Sequence, residues 1–225
     1  MSMNQNVNEA LSCLENESKQ LLKQSERMFL ADHGKLYRFD LLVVGVIKRT
    51  AALSDGFSLL IREKNFICAG AIICMHLDTA LRLSAGFRVD SPHDFARKIM
   101  EGHRINKMKD KDGNLMHDSH LRKILSEELP WVNSVYEKTS NFIHFSSTHI
   151  FSAADPNHKM KDESTHRLFI GPKDTNASDE NYLDAITVFR SITPIISHYI
   201  EGWILAKDHS SNSLNDEIKH VKLNI

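Results

Sequence analysis

Between residues 131 and 151 the segment WVNSVYEKTSNFIHFSSTHIF sets Tyr136, Ser140 and His144 at successive four-residue steps and adds His149 just beyond them. On a helix such steps stack side chains along one face. Histidine exchanges protons near neutral pH, and a hydroxyl one turn away can orient its ring or a bound phosphate. The row therefore suits acid-base chemistry. The one nearby carboxylate, Glu137, falls further toward the solvent side of the wheel. A histidine at the edge of a core stripe is more often held structurally by hydrogen bonds, so both roles stay open for His144.

Other chemistries find less support. A metal could use His144 and His149 with His158 or His166, since the chain carries 13 histidines. A five-residue step does not put two ligands on one helical face, and neither H-E-x-x-H nor a Cys/His cluster occurs. Neither Ser140 nor Ser146 sits in a G-x-S-x-G elbow, and no glycine pattern for a nucleoside triphosphate or dinucleotide is present. No cofactor or metal is expected. From Asp110, the run DKDGN resembles the start of a calcium loop. The twelfth place, however, holds Leu121 where glutamate is required.

The elements that must position these residues read as helices. Apolar spacing predicts amphipathic helices over residues 7–31 and 36–62, then a helix over 65–86 that is apolar nearly all round and so central. On that central helix Asp78 and Arg82 stand four apart, the geometry of an intrahelical ion pair. Ser91, Pro92 and Asp94 form an N-cap, first-turn proline and capping acid for a short helix to about residue 101. Asp118 caps a helix reaching Leu129. After Pro130 comes the helix bearing Tyr136, with Val132, Val135, Thr139, Phe142 and Ile143 as its core stripe. A last helix over 178–207 turns Leu183, Ile186, Phe189, Ile192, Ile195, Ile196 and Trp203 inward, with Pro194 kinking or interrupting it.

Two departures are expected. Alternation from Arg104 to Lys109 with a turn at Asp112 and Gly113 predicts a β-hairpin over 104–118. Residues 145–151 and 167–170 read as a short strand pair joined by a polar loop over 155–165. The fold class is mainly α, a helical bundle forming one domain over 1–207, with a loosely ordered tail over 208–225.

Composition narrows the setting. The chain has 225 residues, of which 41% are hydrophobic and 25% charged. A chain of that length and composition can bury a sizeable core. Its formal net charge of −1 exerts no global pull on nucleic acid. A local basic patch, His103 with Arg104, Lys107, Lys109 and Lys111, lacks interleaved aromatics for base stacking and reads first as a solvated hairpin. Cys13, Cys68 and Cys74 form no C-x-x-C pair, which fits a reduced compartment. The start of the chain lacks the basic and apolar regions of a signal peptide, and charges interrupt residues 66–87 as a membrane span. A cytoplasmic protein without membrane association is expected.

The stretch Lys138-Thr139-Ser140-Asn141-Phe142-Ile143-His144 resembles the helical signature of the HEPN superfamily, in which an arginine precedes a histidine by five to seven positions, often with asparagine. The resemblance covers about residues 130–150, and residues 36–86 are compatible with it. It implies a helical bundle, commonly dimeric, whose paired motifs face one cleft. In active members the histidine helps a ribose 2′-hydroxyl attack the adjacent phosphate, and the arginine stabilises the developing charge without a metal. Here His144 would take the first role and Lys138 the second, although lysine lacks arginine's bidentate fork. Arg82 is the alternative guanidinium. The resemblance thus implies a HEPN-like binding or regulatory protein in bacterial stress or defence, a homodimer with an RNA or protein partner. Metal-independent ribonuclease activity through His144 with Lys138 or Arg82 is the alternative.

Overall fold

The computed structural model describes residues 4–154, 168–174 and 177–209. Among them the chain is mainly helical, with α1 (Gln5–Leu30), α2 (Arg38–Arg62), α3 (Phe66–Ala85), α4 (Pro92–Met100), α5 (Asp118–Glu128), α6 (Trp131–Ile143), α7 (Ser147–Ser152) and α8 (Asp179–His209). Local chemistry starts several of them. The Asn4 and Asn65 side chains accept backbone N–H groups at the heads of α1 and α3, Ser91 does so for α4 with Pro92 behind it, and Asp40 accepts the Tyr37 N–H at the head of α2. Each satisfies a donor that a helix N-terminus otherwise leaves unpaired.

Helix α3 lies at the centre, packed on α2, α5, α6 and α8, while α1 lies across α2 and α8 and α4 rests on α2. It is the one described helix long and apolar enough to cross a bilayer, and over half of that window is buried against its neighbours. Close packing on α6 depends on Gly70, where a Cβ would stand 2.5 Å from the Phe142 ring. Helix α8 continues through Pro194, and His76 of α3 meets it there: the ring stacks on Phe189 at 4.1 Å and its Nε2 pairs with Thr193 Oγ1 at 3.1 Å. Burial, then the Arg49 charge, pushes the His76 pKa down to about 3. The ring is therefore neutral at ordinary pH.

The end of α8 is fastened by an enclosed ion pair. Lys207 and Asp40 have fully buried side chains. The Lys207 ammonium donates to Met28 O (2.7 Å), Lys35 O (3.0 Å) and Asp40 Oδ2 (3.1 Å). Those three bonds use all its N–H groups. The Trp203 indole N–H donates to the other Asp40 oxygen at 2.6 Å. Residues 208 and 209, expected in a loose tail, belong to α8, and the Asp208 carboxylate accepts the Asp32 N–H at 2.9 Å; the rest of that tail lies outside the described residues.

The expected strands are corrected. Residues 104–118 contain a 3-10 turn, Ile105–Lys107, and one isolated bridge between Lys109 and Leu115 in place of a hairpin ladder. The reason is Asp110, whose carboxylate is buried. It accepts the Asp112 N–H at 3.0 Å and the Asn114 N–H at 2.8 Å. It also pairs with His120 Nε2 at 2.7 Å. These bonds draw the chain into a tight local turn. Residues 147–152 are helical because Ser146 and His149 form a capping box, the His149 ring accepting the Ser146 N–H. Leu168 makes an isolated bridge to Ala154, not a strand; residue 167 and the loop expected over 155–165 lie outside the described residues.

Candidate functional site

Four-residue steps on α3 place Cys74, Asp78 and Arg82 along one face. Asp78 accepts from Arg82 Nε at 2.9 Å, so the ion pair expected from spacing forms. Arg82 also donates from Nη2 to Asp118, the first residue of α5. In place of Asp118, the expected cap of α5, His117 occupies the cap position. The Asp118 side chain turns to tertiary partners, accepting also from the Tyr136 hydroxyl at 3.4 Å. The Arg122 guanidinium lies 4.2 Å from the centre of the Tyr136 ring, a cation-π contact. From α2, Arg49 reaches Asp78 at a long 3.4 Å. Arginines and carboxylates thus alternate from α2 across α3 to α5 and α6.

Donors remain unused in this network. Among the described residues, Arg82 Nη1 and Arg122 Nε are buried without a hydrogen-bond partner. Such groups cost free energy until an acceptor is supplied. The environment also suppresses ionisation of its acids. Burial raises the Tyr136 hydroxyl pKa, reinforced by the Asp118 charge, and burial raises the Cys74 thiol, partly offset by a hydrogen bond with Thr139. Both groups are therefore neutral at neutral pH, which makes them positioning and hydrogen-bonding groups more than nucleophiles.

Beside the network a groove of about 360 Å³ opens between α2, α3 and α4. Its floor is apolar, with Leu42, Val46, Ala96, Ile99 and Ile105, and its polar lining includes Arg49, Asp78 and Arg82. Gly45 also lines it, and a Cβ there would meet nothing within 4 Å. An apolar concavity of this size with a few convergent polar groups is the usual form of a small-molecule site.

The residues singled out by spacing divide between two places. Tyr136 and Arg82 come together through Asp118. Ser140, Lys138 and His144 do not join them. The Ser140 hydroxyl donates to Glu137 O within its own helix, Lys138 is exposed, and His144 is exposed at the C-cap of α6 with its backbone N–H on Ser140 O. Of the stripe on α6, Ile143 is half-exposed, and the following Phe145 is 83% exposed. His149 is engaged through Nδ1 in the α7 capping box, while His158 and His166 lie outside the described residues. Among the described residues no three His, Cys, Asp or Glu side chains gather as a metal-binding group. The residues missed by spacing are Arg49, Asp118 and Arg122. Their roles are tertiary, and the one local signal, an acid opening α5, was equally a cap signal. Compared with known proteins, the chain matches no family model, no curated protein and no solved structure.

Proposed function

We propose that this chain is a HEPN-like helical binding or regulatory module whose working surface is the groove between α2, α3 and α4. The ligand class that suits it is a small molecule with an apolar body and an anionic group. One observation carries the reading: the apolar groove is bordered by Arg49, whose side chain is about half exposed and, among the described residues, makes only a long 3.4 Å contact to Asp78. An incoming carboxylate, sulfonate or phosphate would give the Arg49 guanidinium a closer acceptor, and a charge-assisted bond of that kind is worth about 1.5–3 kcal/mol.

The test uses 8-anilinonaphthalene-1-sulfonate, an apolar anion whose fluorescence rises on binding. The wild-type chain is expected to bind it at one site. Gly45→Phe, which fills open space from an exposed helix face, is expected to abolish that binding. Arg49→Met is expected to weaken it roughly tenfold. Unchanged binding by Gly45→Phe overturns the reading. The exposure of His144 supports a second reading, metal-independent ribonuclease activity. Its test is cleavage of single-stranded RNA in EDTA, abolished by His144→Ala in a chain that still unfolds cooperatively; cleavage surviving that substitution removes His144 from the mechanism.

A further inference from the structure

On the other side of α4 lies a larger cavity, about 700 Å³, between that helix and the loop over residues 102–111. Lys98, Arg104, Lys107, Lys109 and Lys111 line it, together with the ring of His103. Its carboxylates are Asp90, Asp94 and Asp110, and two of these three are already neutralised from within the protein. Asp94 accepts from Arg97 Nε at 3.0 Å and lies 2.9 Å from Lys98 Nζ. Those partners, Lys98 and then Arg97, pull its pKa down to about 2. Asp110 is buried with His120 and two backbone N–H groups. Burial alone would raise its pKa, and these hydrogen bonds outweigh it and leave the pKa lowered. Arg104, Lys107, Lys109 and Lys111 are exposed, and none makes an ion pair among the described residues, leaving Asp90 as the one uncommitted carboxylate in the cavity wall.

The loop that carries these cations is anchored. Gly102 follows α4 with φ +88°, a conformation that favours glycine, and turns the chain back beneath the helix. Ile105 and Met108 pack against the core, and Met108 O accepts the Met116 N–H at 3.0 Å. At the far end the Lys111 N–H donates to Arg88 O at 2.8 Å, tying the loop to the connection between α3 and α4. Four like charges held around one concavity repel one another, and a polyanion relieves that repulsion. Among the described residues the wall holds no Tyr or Trp, and its Phe95 is buried, so stacking with a base lacks a broad platform here. Recognition in such a cavity falls on phosphate oxygens.

We propose that the cavity between α4 and residues 102–111 binds an oligophosphate anion, with Arg104, Lys107, Lys109 and Lys111 as its phosphate contacts. This site is separate from the groove and does not rest on the function proposed for it. The chemistry is common to a compact polyphosphate and to the phosphodiester backbone of a nucleic acid, and the experiment distinguishes the two.

Calorimetric titrations of the full chain would use sodium tripolyphosphate in one arm and a 20-nucleotide single-stranded RNA in the other, at low and moderate NaCl. The pair Lys107→Glu with Lys109→Glu is expected to weaken binding at least tenfold. A charge-matched control on α1, Lys19→Glu with Lys23→Glu, is expected to stay within twofold of wild type. All four positions are exposed, and thermal unfolding of each variant confirms that the fold is kept. Binding of tripolyphosphate without RNA assigns a compact ligand. RNA binding with a salt slope of about −3, the value for four phosphates on a single strand, assigns the backbone. Gly45→Phe, which fills the groove and leaves the residues lining the cavity in place, is expected to retain tripolyphosphate binding, and its loss would move the anion site to the groove. The proposal is overturned if neither probe binds at low salt, or if the basin and control variants weaken binding equally, which marks diffuse charge attraction.

Discussion

Asp40 with Lys207, and Asp78 with Arg82 and Asp118, are assembled from the same chemistry but stand in opposite states. In the first centre both side chains are enclosed, all ammonium protons have acceptors, and both carboxylate oxygens are occupied. In the second, Arg82 and Asp78 are about a quarter to a third exposed, the chain of charges ends in a half-exposed Arg49, and buried guanidinium nitrogens are left over. Completeness marks a fastening. An open network with a half-exposed guanidinium beside a groove marks a place where something else can bind, and that difference separates the Asp40–Lys207 centre from the Asp78–Arg82 network.

Removing a charge should show this contrast most strongly. Lys207→Met strands Asp40 in the interior and is expected to cost about 3–5 kcal/mol in urea unfolding, whereas Asp78→Asn in the open network is expected to cost about 1 kcal/mol or less. Equal losses would erase the distinction between the two centres.

Acid should act on the α8 side through His76. Its folded pKa of about 3 lies below the ordinary value of 6.5, so as pH falls below 6.5 the unfolded chain takes up a proton that the folded chain refuses. Stability from this group is complete above pH 6.5 and is lost as pH falls toward 3, by about 2 kcal/mol at pH 5. Unfolding free energies measured from pH 7 to 5 should decline by that amount in wild type and decline less in His76→Phe. Equal declines would place the sensitive group elsewhere.

The smallest effects should come from two glycines. Gly70→Ala pushes a methyl into Phe142, a ring that is only partly buried and can swing away. Its expected cost is about 1 kcal/mol, the low end for overpacking. Gly45→Ala meets open space and is expected to stabilise by about 0.5–1 kcal/mol through helix propensity. Chemical denaturation of both variants would sharpen the difference between a closed helix contact and an open groove.

The helices were legible where periodic burial and local capping agreed, as at Ser91-Pro92 for α4 and along the apolar run of α3. Residues 145–151 misled because their aromatic and β-branched content favours strands, while the capping signal was a histidine where glutamate or glutamine usually stands. Residues 104–118 misled because alternation cannot reveal that Ile105 and Met108 both face the core or that Asp110 is buried. Of the site, Arg82 and Tyr136 could be named from spacing on their own helices. Their connection could not, since Asp118 is 36 positions from Arg82 and its role depends on how α5 lies against α3. Arg49 comes from another helix again, and no local pattern records that approach.

Helix α4 is a partition with a chamber on either side. Ala96, Ile99 and Met100 face the groove, while Asp94, Phe95 and Lys98 face the basic cavity. Two chambers that share a wall are thermodynamically linked whenever an occupant of one prefers a particular position of that wall. The linkage is reciprocal: the factor by which the first occupant changes the affinity for the second is the factor by which the second changes the affinity for the first. A helix of nine residues would then report the contents of one compartment to the other without either ligand touching its counterpart.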